Sequence, residues 1–378
     1  MTAVQEHSHG APTGSPAERF VSTDPDDFAV PNGREEQWRF SPVRRLRPVF
    51  QPYESEQTEE VTVTAPAGAT YSLINKDDPR VGSVLRPADR VSALAFAGVE
   101  QVLLIEIDAA LSEPVVVEVV GKPGLNYGHV VVDAKPFSRA TVVFEHTGDT
   151  TDTANVEFRV GDGASLCVVT VQEWGRETVH VSAHTASVGR DASYKHVAVH
   201  LGGAVVRLSA SVRFAGPGAS AELYGLSFAG ADQHLESRLY VDHSVPNCTS
   251  NVVYKSALDA ASARTVWIGD VRIRPEATGT NTYELNRNLL LTDGARADSV
   301  PNLEIETGEI AGAGHASATG RFDDLQLFYL QSRGIPEDEA RRLVVRGFFA
   351  DVLAQIEGPE LHDRLAAAID ARLGGDAG

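Results

Sequence analysis

Cysteine is almost absent from this chain. There are two in 378 residues, Cys167 and Cys248. Two thiols cannot complete a four-cysteine metal or cluster site within one chain, and they do not make the disulfide framework of a small secreted domain. Positive charge is also scarce: 33 Lys and Arg against 52 Asp and Glu leave a net charge of −19. That balance argues against a nucleic-acid or anionic-membrane partner, which would call for a clustered basic surface. No apolar run approaches the roughly 18 residues that a membrane-spanning helix needs. The chain starts on polar residues without an apolar signal core, so the expected compartment is the cytosol. Walker A, G-x-G-x-x-G, H-E-x-x-H and G-x-S-x-G patterns are missing as well. Any use of ATP therefore falls to a partner, and no nucleophile motif marks an enzyme.

What the chain does have is apolar bulk, 42% of its residues, enough for a sizeable core. Residues 1–32 are rich in Ser, Thr, Pro, Gly, Asp and His and are expected to be a disordered tail. His7 and His9 lie in it, as a plain tail or a weak metal-binding pair. Residues 33–59 form an N-terminal segment with two aromatic anchors, Trp38 and Phe40. From about Glu60 the chain turns β-like, with short apolar or alternating runs at Val115–Val120, Leu166–Val171 and Val205–Phe214, separated by small residues.

A loose repeat runs through this part. Gly161-Asp162-Gly163-Ala164-Ser165 resembles Gly189-Arg190-Asp191-Ala192-Ser193 and Gly216-Pro217-Gly218-Ala219-Ser220, with the Ala stepping by 28 and then 27 residues. Small residues at a fixed corner suit stacked coils of a solenoid. A β-sandwich with similar turns remains the alternative at this level.

After Gly320 the pattern becomes helical. Asp323 is placed to cap a helix from Asp324 to Arg333, which Gly334 ends. Pro336 opens a second helix, with Ala340, Leu343, Val344, Gly347, Phe348, Val352 and Ile356 as its apolar stripe. A third runs from about Glu360 to Leu373. The chain thus divides into 1–32, 33–59, a β core over 60–320 and a helical unit over 321–378. The helices read either as a cap on the open end of the solenoid or as a docking surface.

Several motifs in a fixed order carry a family resemblance. They are Tyr240-Val241-Asp242-His243, Pro246-Asn247, Val266-Trp267-Ile268-Gly269 and Asn288-Leu289-Leu290-Leu291. Pro301-Asn302-Leu303-Glu304-Ile305 follows, then His315 in a small-residue run, then Leu327-Phe328-Tyr329-Leu330-Gln331-Ser332-Arg333-Gly334-Ile335. Together they resemble the SufB/SufD family of iron–sulfur cluster assembly proteins, its SufD branch in particular. The resemblance implies a mainly β fold, a right-handed parallel β-helix core with N-terminal and C-terminal helical segments. It implies a non-catalytic scaffold subunit that pairs with a SufB-like paralogue and docks a SufC-like ABC ATPase. A homodimer is the state open to such a subunit alone.

The resemblance singles out His315, at the interface with the SufB-like chain, as a residue of cluster assembly and a transient iron ligand, with no cofactor stably bound. It implies SufC docking through Leu327, Phe328, Tyr329, Arg333, Gly334 and Phe348. Many relatives carry a Cys two residues before the His; Ala313 stands there in this chain. The SufB marks, a Thr-Gln-Cys-Asp-Ser segment and a His-Glu pair, are also missing: Asn286 precedes Leu289, and Ala316 follows His315.

On chemistry alone His315 is either a solvated histidine or a metal ligand and proton carrier. Cys248 is a ligand or a small buried hydrophobe, and Cys167 a strand residue. Asp242-His243, with His234 nearby, is an acid–base pair or a structural marker. Two other function classes remain: a β-helix enzyme acting on polysaccharide, which would need carboxylates gathered on one exposed sheet face, and a homodimeric interaction protein without a cluster role.

Overall fold

Ten-residue strands joined by small-residue corners can bury a face only by stacking. They do so in the computed structural model, which describes residues 19–322 and 324–373. From Gln101–Ile107 onward, successive strands alternate between two nine-stranded sheets. From Val115–Gly121 in the first sheet and Gln101–Ile107 in the second, every pairing is parallel. At the N-terminal end Glu60–Thr64 pairs antiparallel with Val115–Gly121, and Ala69–Asn75 antiparallel with Gln101–Ile107, which closes the series. This is the β-solenoid, and the parallel ladders exclude a Greek-key sandwich.

The coil length is set at one corner. Pairing matches Ser165 to Ser193 and Ser193 to Ser220, steps of 28 and 27 residues. It later matches Thr249 to Asn281, a step of 32. Just before these strands one residue per coil takes a left-handed backbone: Phe137, Gly163, Asp191, Gly218, Asn247 and Gly279, with φ between 51° and 76°. Side-chain residues alternate with glycine, and the reason is space. A Cβ on Gly163 would lie 2.7 Å from the Phe137 ring, and one on Gly218 would lie 2.2 Å from Asp191 Oδ1. Each glycine makes room for the side chain of the coil beneath.

Inside the coils, Phe144, Leu166, Val168, Phe158, Phe214, Leu223 and Val241 make an apolar core. The outer faces are covered too. On the second sheet lie Trp38, Leu46, Val49 and Phe50, together with helix α2 (Arg90–Gly98); the short helix α1 (Val43–Leu46) belongs to the same segment. Arg207 is buried there. Its guanidinium sits 4.0 Å from the Trp38 ring, 3.2 Å from Glu236 and 3.2 Å from Asp89. On the first sheet lie helices α4 (Glu337–Leu353) and α5 (Pro359–Leu373), whose Val345, Phe349, Val352, Leu365 and Ile369 cover Val169, Val197, Val199, Leu226 and Phe228.

Four expectations need correction. Residues 19–32, expected in a disordered tail, pack on the fold: Arg19 bonds Asp270 at 2.7 Å, Phe28 is buried, and the Arg90 guanidinium bonds the Pro25 and Phe28 carbonyls. His7, His9 and Asp323 lie outside the described residues. Helix α2 interrupts the β span, although at nine residues it is short. The C-terminal helices pack on the flank of the solenoid and leave its end open. The stripe of α4 is also turned: Val345 and Phe349 are buried, while Leu343 and Gly347 are exposed. Two adjacent apolar pairs, 344–345 and 348–349, let the pattern be read on either side, and contact with the sheet chooses one.

Candidate functional site

The C-terminal end of the solenoid is where both sheets stop. The strands Arg296–Ile305 and Gly312–Arg321 each have one neighbour, so each presents a free backbone edge. Pro301 sits within the first of them, as an edge strand tolerates. Beneath this end polar side chains join apolar ones such as Leu303 and Ala313 in facing the bore. Asn288 Nδ2 donates to Asn286 Oδ1 at 2.9 Å, to Ser299 Oγ at 3.0 Å and to Thr319 Oγ1 at 3.0 Å. The Ser299 hydroxyl donates to Asn286 Oδ1 at 2.7 Å. This network ties the two last strands together across the opening.

His315 stands on the free strand Gly312–Arg321, exposed. Its register partner on the next strand is Glu284. Paired residues of a parallel ladder share a face, and on this strand the even positions Thr282, Glu284, Asn286 and Asn288 are the buried ones. His315 therefore lies above Glu284 at the mouth of the bore. Glu284 is buried, and neither carboxyl oxygen has a hydrogen-bond partner among the described residues. Burial, helped by the charge of Asp270, pushes its pKa up to about 8. The Trp267 indole N–H is also buried and unpartnered among the described residues. Space for the carboxyl comes from Gly269, where a Cβ would lie 2.7 Å from Glu284 Oε1 and 2.6 Å from the Trp267 ring.

The expected docking residues fall into two places. Helix α3 (Asp324–Ser332) carries Leu325, Phe328 and Tyr329 at 77%, 69% and 56% exposure, an apolar face turned to solvent. Leu327 is half-buried. Arg333 bonds the Tyr329 hydroxyl at 2.9 Å and covers its ring, and Gly334, at φ +87°, turns the chain out of the helix. Phe348 does not join this face. It lies on α4 against the first sheet, and Lys255 Nζ bonds its carbonyl at 2.7 Å. Leu343, expected in the buried stripe of α4, is exposed instead.

The remaining candidates are structural. Cys248 is fully buried in the core, its thiol 3.5 Å from the carbonyls of Gly216 and Pro246, and burial pushes its pKa up. Cys167 lies under the C-terminal helices, pushed up to about 12, with burial the first cause. Asp242 and His243 point to opposite faces of their strand. Asp242 holds Arg274 through two bonds of 2.7 and 2.9 Å, while His243 Nε2 meets Ser250 Oγ at 2.9 Å. His234 is bonded to Glu236 at 3.1 Å. The sequence reading missed a row of buried histidines inside the bore: His146, His180, His184, His196 and His200. Strand alternation at those positions could have marked them. Among the described residues no group of three or more His, Cys, Asp or Glu is placed to hold a metal ion, and no helix is long and apolar enough to cross a membrane.

Comparison with known proteins follows the same lines. Residues 118–348 match the family model described as the SUF system FeS cluster assembly, SufBD core domain. An iron–sulfur cluster assembly SufBD family protein of Mycobacterium tuberculosis is 54% identical over 368 residues, covering 94% of this chain and 92% of that protein. One from Mycobacterium leprae is 50% identical over 384 residues, 99% of this chain and 97% of that protein. A second SufBD family protein of M. tuberculosis is 29% identical over 211 residues, 56% of this chain and 25% of that protein.

Proposed function

The chain belongs to the SufBD family of iron–sulfur cluster assembly proteins, and from that premise we propose that it is the SufD-type, non-catalytic subunit of a cytosolic assembly complex. It pairs with a SufB-like paralogue through its open C-terminal end and docks a SufC-like ATPase through α3 and the adjoining part of α4. The observation that carries this reading is the placement of His315, exposed on a free edge strand at the mouth of the bore. A free strand edge invites pairing with another chain. An imidazole at that seam can ligate iron in a cluster that the partner's thiolates help to build. The apolar face of Leu325, Phe328 and Tyr329 supports a second partner on the neighbouring helix. Two of the similar family proteins come from M. tuberculosis, one matching this chain over nearly its whole length and one over about half, which favours a paired assembly of paralogues.

The test is co-expression of the full chain with a SufB-like paralogue and a SufC-like ATPase, read by size exclusion. All three chains should co-elute. Replacing Phe328 and Tyr329 by Ala should release the ATPase and keep the paralogue. His315→Ala should keep the complex and lower its cluster absorbance. A homodimer that excludes both other chains would overturn the reading.

A further inference from the structure

Buried polar groups in folded proteins almost always find partners, and an exception calls for a reason. Near the C-terminal mouth both carboxyl oxygens of Glu284 are buried without a partner among the described residues. An apolar side chain in place of Glu284 would remove the cost of burying an unpartnered carboxyl. The local packing instead accommodates it. Gly269 clears the volume that Glu284 Oε1 occupies, and no Cβ could stand there without meeting that oxygen at 2.7 Å. Directly above, one strand further along the same face, is His315.

We propose that Glu284 is the positioning residue for His315, accepting a hydrogen bond from one imidazole nitrogen so that the other presents its lone pair outward to the seam with the partner chain. The inference rests on the proposed role of His315 and adds the group that holds it. In this structure the carboxyl has no hydrogen bond, and His315 is exposed, so its ring is free to turn between rotamers. Covering the end with a partner removes water from the ring, which leaves one N–H in need of an acceptor. Glu284 is in register for it. Histidines that ligate metals ordinarily pass their second N–H to a carboxylate or carbonyl, which fixes tautomer and ring orientation. The Asn286, Asn288, Ser299 and Thr319 network flanks the same opening, but its members already bond one another.

The experiment compares Glu284→Leu, Glu284→Asp, His315→Ala and the Glu284→Leu/His315→Ala double variant, each in the complex with the paralogue and the ATPase. It reads melting temperature and bound-cluster absorbance. Glu284→Leu should melt higher than the wild type while cluster loading falls about ten-fold, the usual scale for losing such a supporting carboxylate. A purely structural Glu284 could not move the two readouts in opposite directions. The double variant should load no worse than His315→Ala alone. Should Glu284→Leu not fold, Glu284→Asp decides, since it keeps the acid but withdraws it by one methylene, and its loading should also fall. Wild-type loading in a folded Glu284 variant, with His315→Ala still impaired, overturns this inference alone. Wild-type loading in His315→Ala overturns the reading beneath it.

Discussion

His315 and Phe349 show how differently two side chains on this molecule count. Phe349 is fully buried between α4 and the first sheet. Its truncation to Ala should cost about 3–5 kcal/mol, read as a shift of the denaturation midpoint. His315 is exposed. His315→Ala should change stability by less than roughly 1 kcal/mol, the range of surface substitutions. A large loss would mean that the imidazole supports the end of the solenoid rather than serving the seam. His315 was legible from sequence because a chain-wide order of motifs led to it. Glu284 was not. Its signal is the combination of burial, register and a glycine on the preceding strand in the opposite sheet, and none of these is visible along the chain. The buried histidines were missed for a related reason. Each sits in a short alternating run, and attention to metal spacing passes over single histidines on a strand face.

At the scale of elements, the corners were readable and the flanks were not. The Gly163, Asp191 and Gly218 positions repeat at nearly constant steps because stacking requires one left-handed residue per coil. What covers each sheet depends on long-range contact, which composition does not report. Residues 19–32 looked too polar to order, yet Arg19 bonds Asp270 at 2.7 Å and Phe28 is buried; in the segment after them Trp38 and Phe50 meet edge-on at 5.1 Å and the Arg207 guanidinium lies against Trp38. The helices after Gly320 carry a consequence for truncation. Removing them would bare Val169, Val197, Val199, Leu226 and Phe228 on the first sheet. The deletion should therefore aggregate or melt early, seen as loss of soluble protein, and it cannot isolate the docking role. Point changes can. Phe328→Ala on the exposed face should leave stability within about 0.5 kcal/mol and weaken ATPase retention. If Phe328→Ala retained the ATPase in full, docking would have to be sought away from α3.

For the whole molecule the interior sets a pH optimum. Burial holds His146, His180, His196 and His200 near 3, His243 near 4 and His184 well below its ordinary 6.5. The unfolded chain takes up these protons from about pH 6.5 downward and the folded chain does not. Stability from these groups is present above 6.5 and is lost as pH falls toward 3, by up to about 1.4 kcal/mol per pH unit for each. Buried acids work the other way. Burial, the leading cause in each case, raises Glu284 to about 8 and holds the neighbouring pair Asp152 and Glu59 well above the ordinary carboxylate range. Folded, they keep protons that the unfolded chain releases above about pH 4 to 4.5, so their contribution is full below that range and is lost as pH rises through their raised values. Between pH 4.5 and 6.5 the six histidines outnumber the three acids, and stability should climb with pH. Above 6.5 the histidine effect is spent while the acids still titrate, and stability should decline. Urea denaturation of the full chain across pH 4.5–9 should give a maximum near neutrality with the steeper fall on the acid side. A curve flat from 6.5 to 4.5 would mean that the bore admits water and that its histidines titrate as exposed ones do. Replacing His196 and His200 together by Asn should flatten the acid limb and leave the alkaline limb in place, because the acids that set it are untouched.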